Sequence, residues 1–177
     1  RRAICELTAK GYNKLIVELL RDLQRTESFS AAGVRAFLLR QEAEVSRWPG
    51  DEEFKGSWMS IDFYKRLSKP KGRMILEAVE ASLHTEKTEK IQIERKLTIE
   101  HLLPRQWEKH WPLGGSDGAA DAEKLTRSRN AIIHRIGNLT LLTKALNPAV
   151  SNGPWERKRK EILRHSALNL NRSLPDD

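Results

Sequence analysis

A single cysteine, Cys5, in 177 residues excludes an internal disulfide and cannot by itself build a cysteine-type zinc site, so the chain must hold together by packing. Its surroundings read as a helix core. No apolar run is long enough to span a bilayer, and no basic, then apolar, then small-residue segment marks a secretory leader. An intracellular, cytoplasmic setting is the expectation. A Gly-rich phosphate loop is also missing: Lys69-Pro70-Lys71-Gly72-Arg73 is a basic turn without the spacing of a nucleotide cradle. Nor does the chain repeat itself. It opens Arg1-Arg2-Ala3 without a methionine and enters a helical pattern at once, as expected of a piece cut from a longer protein.

What is present is an ordinary balance for one sizeable domain or two small ones, 38% hydrophobic and 32% charged. The formal charge is +8, and it is unevenly spread. From Lys124 to Arg172 eleven Lys or Arg face two acids, Glu156 and Glu161, an excess larger than that of the whole chain. Such a surface favours a polyanionic partner, because each phosphate it neutralises releases condensed counterions. A charge run on its own is more often a solvated face, so it needs a neighbouring site to carry meaning.

The first half is helical. Ile4, Leu7, Leu15, Ile16, Leu19, Leu20 and Leu23 form one apolar stripe between Ala3 and Gln24, interrupted by Gly11. Ser30 is placed to cap a second helix reaching Arg47, with Val34, Phe37, Leu38, Gln41 and Val45 on one side. Asp51 and Ser60 are caps for two shorter helices, and Pro70-Lys71-Gly72 reads as a break. Arg73 to His84 then returns to helix with Met74, Ile75, Ala78, Val79 and Leu83 inward. Residues 1–85 are thus expected to be a helical bundle, a scaffold rather than a site.

The second half, 86–177, changes period. Ile91-Gln92-Ile93-Glu94 alternates as an edge strand or lead-in, and Thr98 to Leu103 alternates again before Pro104 stops it. Arg105 to Trp111 reads as a short helix that lets Trp107 and Trp111 pack together. Pro112 and the glycines 114, 115 and 118 make a loop. Asp121 can open a helix through His134, with Gly137 as its stop. A second strand follows over 137–143, then a turn or two of helix carrying Asn147, and a final helix behind Pro154.

Glu100 and His101 sit side by side at the end of the first strand. Alone, the histidine reads as a half-buried, hydrogen-bonded side chain and the acid as a surface group. With Asn138 and Asn147 nearby in the second stretch, the four make a site for phosphodiester hydrolysis. That reaction needs an activated water, a cation beside the scissile phosphate and a held geometry. Histidine is the natural base near neutral pH, provided its other ring nitrogen is fixed by a hydrogen bond, for which Asn138 is placed. The carboxylate of Glu100 and the amide oxygen of Asn147 are hard donors that suit Mg²⁺. Strand neighbours point to opposite faces, so the strand must end at His101 for both to serve one centre.

The run Ile99-Glu100-His101-Leu102-Leu103-Pro104, then His134-Arg135-Ile136-Gly137-Asn138-Leu139-Thr140-Leu141-Leu142, Asn147, Ser151-Asn152 and Lys158, resembles the C-terminal HNH nuclease domain of GmrSD-type, modification-dependent restriction enzymes. The likeness covers nearly the whole chain. Asn147 follows Asn138 by the interval also seen in HNH modules of CRISPR effector nucleases, which implies a ββα-metal (His-Me finger) core. The resemblance implies that His101 is the general base, that Glu100 and Asn147 hold a divalent metal (Mg²⁺, or Mn²⁺ in its place), and that Asn138 orients His101 and braces the loop. Glu100 stands where many HNH proteins have Asp. For His134 it implies a supporting role, and for Asn152 and Lys158 phosphate contact; Lys144, Arg157 and Lys160 join them as basic residues facing nucleic acid. It further implies DNA as substrate, an NTP-dependent sensor domain for modified DNA as the N-terminal partner, and a prokaryotic setting. A catalytically degenerate DNA-binding module, an HNH-type RNase and a purely structural helical protein are the rival readings.

Overall fold

About 53% of the described residues are helical and the strands among them number two, so the class is mainly α with a small sheet, α+β in character. The computed structural model describes residues 1–27, 29–89, 96–114, 119–172 and 174–175. They form two compact units, Arg1–Ile61 and Asp62–Asp177.

In the first unit, α1 (Tyr12–Arg25) starts well after the expected Ala3. Gly11 precedes it at φ 83°, a left-handed conformation that glycine adopts without strain. The segment before Gly11 instead wraps Arg2, whose buried guanidinium donates to the carbonyls of Thr8 (2.7 Å), Val45 (3.0 Å) and Arg47 and lies over the Tyr12 ring. Cys5 sits half-buried in this turn rather than in a helix core. α2 (Ala31–Leu39) ends earlier than the expected Arg47, and Arg2 holds the stretch beyond it by the carbonyls of Val45 and Arg47; Ser30 caps the helix by accepting the Gly33 N–H at 3.1 Å. Three acids, Asp51, Glu52 and Glu53, fill the first turn of α3 (Asp51–Ser60), where the helix dipole favours them. Ile4, Leu15, Leu23 and Phe37 are buried in this unit.

The second unit holds α4 (Phe63–Arg66) and α5 (Lys69–Ser82) against the sheet. The expected break at Pro70-Lys71-Gly72 is the beginning of α5. Pro70 lies in the first turn, where no N–H is needed, and Gly72 faces inward. A Cβ on Gly72 would stand 3.0 Å from Cδ1 of Ile99 and 3.3 Å from the Phe63 ring, so glycine is what lets α5 approach the strand. The buried face is therefore Gly72, Leu76 and Glu80, while Met74 and Leu83, expected inside, are exposed.

Strands β1 (Leu97–His101) and β2 (Leu139–Thr143) pair antiparallel, with Leu97 opposite Thr143 and His101 opposite Leu139. Leu142 joins Leu146, Val150 and Ile162 in a core that fastens α7 (Asn147–Val150) and α8 (Trp155–His165) to the sheet. α9 (Asn169–Arg172) is tied down twice. Glu80 accepts the Asn169 and Leu170 N–H groups at 2.9 and 2.7 Å, and buried Asn171 donates to the carbonyl of Leu141 (3.0 Å) and bonds Thr140.

Arg105 to Trp111 forms turns, not a helix. Trp107 is buried with Leu103 and Ile133, and its indole N–H reaches Asn130 Oδ1 at 3.0 Å on α6 (Ala119–Ile132), which fixes the segment by side-chain contacts instead. Trp111 packs on that cluster and on the Trp155 ring. The alternating run 91–94 and the loop positions 115–118 lie outside the described residues. Among the described residues no helix is long and apolar enough to cross a membrane.

Candidate active site

Strand β1 ends at His101, as two neighbouring site residues require. Just beyond it, a cleft of 310 Å³ is lined by Glu100, His101 and Asn147, together with Tyr64, Arg105 and Asn152. Residues far apart in sequence therefore open onto one space.

Hydrogen bonding fixes how Asn147 is presented. Its Nδ2 donates to Thr98 Oγ1 (3.0 Å) and, more weakly, to the Ile99 carbonyl (3.4 Å). Thr98 spends its own hydroxyl proton on the Leu142 carbonyl (3.1 Å), so both Asn147 contacts can only accept. The amide nitrogen must point at β1, which leaves Oδ1 without a hydrogen-bond partner among the described residues. Glu100 is likewise half used: Oε1 accepts from Lys158 Nζ at 2.6 Å and Oε2 has no such partner. One carboxylate oxygen and one amide oxygen on a polar cleft are a donor set that fits a hard divalent cation with water completing its shell. Among the described residues no group of three or more His, Cys, Asp or Glu is placed to hold a metal ion.

His101 is buried, and its Nε2 lies 3.3 Å from Nδ1 of His134. The Tyr64 ring meets His101 edge-on with centroids 4.5 Å apart and stacks on His134 at 5.9 Å. Burial, then the neighbouring His134, Arg105 and Lys158, push the His101 pKa down to about 4. Burial and Lys65 lower that of His134 as well. Both rings are neutral at neutral pH.

Asn138 does not reach the His101 ring. Its side chain instead brackets Leu103, accepting that residue's N–H at 2.7 Å and donating to its carbonyl and to the Ile133 carbonyl, each at 2.9 Å. Its backbone carbonyl takes the Leu102 N–H (2.8 Å). The loop is braced from this residue, while the imidazole is met by His134.

A family model describing the C-terminal domain of GmrSD restriction endonucleases matches residues 48–177. The chain belongs to this family. No curated protein and no solved structure matches it. Membership makes it a nuclease domain of the restriction type, a hydrolase acting on DNA.

Not every basic residue of this GmrSD-family domain is free to meet a phosphate. Lys158 is wholly buried, and its ammonium is spent on Glu100 Oε1, the Ser151 carbonyl (2.9 Å) and the His101 carbonyl. Its expected role at a phosphate is therefore corrected: it is an internal strut joining the end of β1 to the turn after α7. Burial lowers its pKa and the Glu100 carboxylate opposes that. Lys144, Arg157 and Lys160 are exposed, but none lines the cleft. Asn152 does, and its Nδ2 reaches Gln106 Oε1 at 3.2 Å. Tyr64 and Arg105 were not picked out by sequence reasoning, having only helical-stripe and loop positions to mark them. The burial of Lys158 did have a signal, since Trp155, Lys158 and Ile162 share one face of α8 by their spacing.

Proposed function

We propose that this domain is a metal-dependent DNA endonuclease or nickase of the HNH, His-Me finger type, with its catalytic core in 86–177. One observation carries this: Glu100, His101 and Asn147 share a single cleft, with the Asn147 amide oxygen left over after its nitrogen is tied to β1. His101 is the general base. If its Nε2–H donates to His134, Nδ1 keeps the lone pair that accepts a proton from the attacking water, and burial keeps the ring unprotonated beforehand. Glu100 Oε2 and Asn147 Oδ1 would hold the cation. When bound, a divalent ion such as Mg²⁺ or Mn²⁺ supplies charge neutralisation at the phosphate and the leaving oxygen. Lys158 positions Glu100, Asn138 braces the loop that follows His101, and the exposed Arg157, Lys160 and Lys144 add long-range attraction for the DNA backbone. An NTP-dependent sensor of modified DNA is the partner we propose for target choice, so the domain alone is expected to cut with weak selectivity.

The test is relaxation of supercoiled plasmid with Mg²⁺ or Mn²⁺. Wild type should nick, and His101→Ala should not, while retaining DNA binding. Equal nicking by both proteins would remove His101 from the role of base.

A further inference from the structure

Beside the cleft, and separated from it by Tyr64 and Ile99, which line both, lies a second concavity of 300 Å³. Its floor is apolar, made by Tyr64, Pro70, Leu97 and Ile99; its rim carries Lys69, Arg73 and Lys96, and no acid lines it. Lys69 and Lys96 are exposed and, among the described residues, form no ion pair; Arg73 is held by Glu77 at 3.3 Å on the same helix. A polyanion alone needs no apolar floor, and an apolar ligand alone needs no cationic rim. The two together match a nucleotide, whose base has a flat apolar face and whose phosphate carries the charge.

We propose that this slot between α5 and β1 binds the nucleotide next to the scissile phosphate, with its base unstacked against the Tyr64–Ile99 wall and its phosphate on Lys69 and Lys96. This rests on the nuclease function proposed above. It adds what that function leaves open, how a strand is led to His101, and it places the lead-in on the side opposite α8. Gly72 has a part in it, because a Cβ there would stand 3.0 Å from Cδ1 of Ile99 and press on the shared wall. A duplex would have to fray or bend there, so strands with an unpaired base should bind better than fully paired ones.

The experiment is binding in EDTA, where no cutting occurs, read by fluorescence anisotropy of a short thymidine strand and of an abasic strand of the same length. Stacking of one base on an aromatic wall predicts a loss of about 5-fold or more for the abasic strand. Lys69→Glu with Lys96→Glu should weaken both strands and lower the slope of log affinity against log salt by about 2. A 5-iodouracil strand should photo-crosslink to Tyr64 or to the 69–73 peptide. Equal affinity for the two strands, or crosslinks confined to α8, would overturn the proposal. A wild-type protein that nicks plasmid while showing either of those results loses the slot and keeps the nuclease. One that crosslinks in the slot but never nicks keeps the slot and loses the nuclease.

Discussion

His101 Nε2 and His134 Nδ1 stand 3.3 Å apart with the Tyr64 ring against both imidazoles. Two neutral imidazoles can share such a contact only if one nitrogen carries the proton and the other accepts it. His134 thereby decides which nitrogen of His101 is left free. A charged His134 would also oppose a charge on His101, one of the effects that lowers the His101 pKa.

Replacing His134 by Phe keeps a ring beside Tyr64 and removes the nitrogen. The acid limb of the nicking rate should then move to higher pH, because His101 loses a neighbour that disfavours its protonation. The rate at the plateau should fall as well, since the tautomer is no longer held. A pH–rate profile on plasmid checks this. An unchanged acid limb with only a lower plateau would mean that His134 acts by packing alone.

The same histidine shapes stability. A His101 pKa of about 4, below the ordinary 6.5, means that the unfolded chain binds a proton the native state refuses between those values. Stability is fully present above pH 6.5 and is lost as pH falls towards 4, by on the order of 3 kcal/mol at most. His134, lowered in the same direction, adds to the slope. Urea titrations from pH 7.5 to pH 4.5 should show wild type weakening steeply and His101→Asn much less so. A parallel decline in the two proteins would place the acid sensitivity elsewhere, with His134 the next candidate. Glu80 acts only at lower pH: burial works to raise the pKa of its carboxyl, but the N–H groups of Leu170 and Asn169, with His84, outweigh it, so its loss comes below the ordinary carboxylate range.

How much of this could be read beforehand differs residue by residue. The strand ending in Glu100-His101 and the second strand before Asn147 were legible because alternation followed by a stop is a local signal. The approach of Glu100, His101 and Asn147 to one cleft has a reason visible only in three dimensions: Thr98 and Ile99 seize the Asn147 nitrogen. Pro70 and Gly72 misled because the residues that punctuate loops are also those that start a helix and let it sit close to a strand. Arg2 rewrote the first helix by taking backbone carbonyls, which no periodicity reveals. Asn138 was expected both to orient His101 and to brace the loop; its side chain makes the brace, on Leu103 and Ile133, and no hydrogen bond to the imidazole among the described residues. Hydrogen-bond capacity is written in the sequence; direction is not.

Lys158 carries the last prediction. Its ammonium is fully buried against Glu100, itself only 12% exposed, at 2.6 Å. Replacing it by Met fills the volume but leaves a carboxylate in a poor solvent and strips two carbonyls of their donor. Removing one partner of such a pair costs about 3–5 kcal/mol. The cost should be largely relieved when Glu100 is neutralised too, so Glu100→Gln with Lys158→Met should be more stable than the sum of the single changes by about 1–3 kcal/mol. Chemical denaturation of the four proteins measures this coupling. Because Glu100 is also the proposed cation ligand, Lys158→Met should weaken Mn²⁺ binding in calorimetry at a temperature where the variant is still folded, whereas exposed Lys160→Met should leave it unchanged. Strict additivity of the two substitutions, with Mn²⁺ affinity intact in Lys158→Met, would show that the strut holds α8 in place without setting the carboxylate.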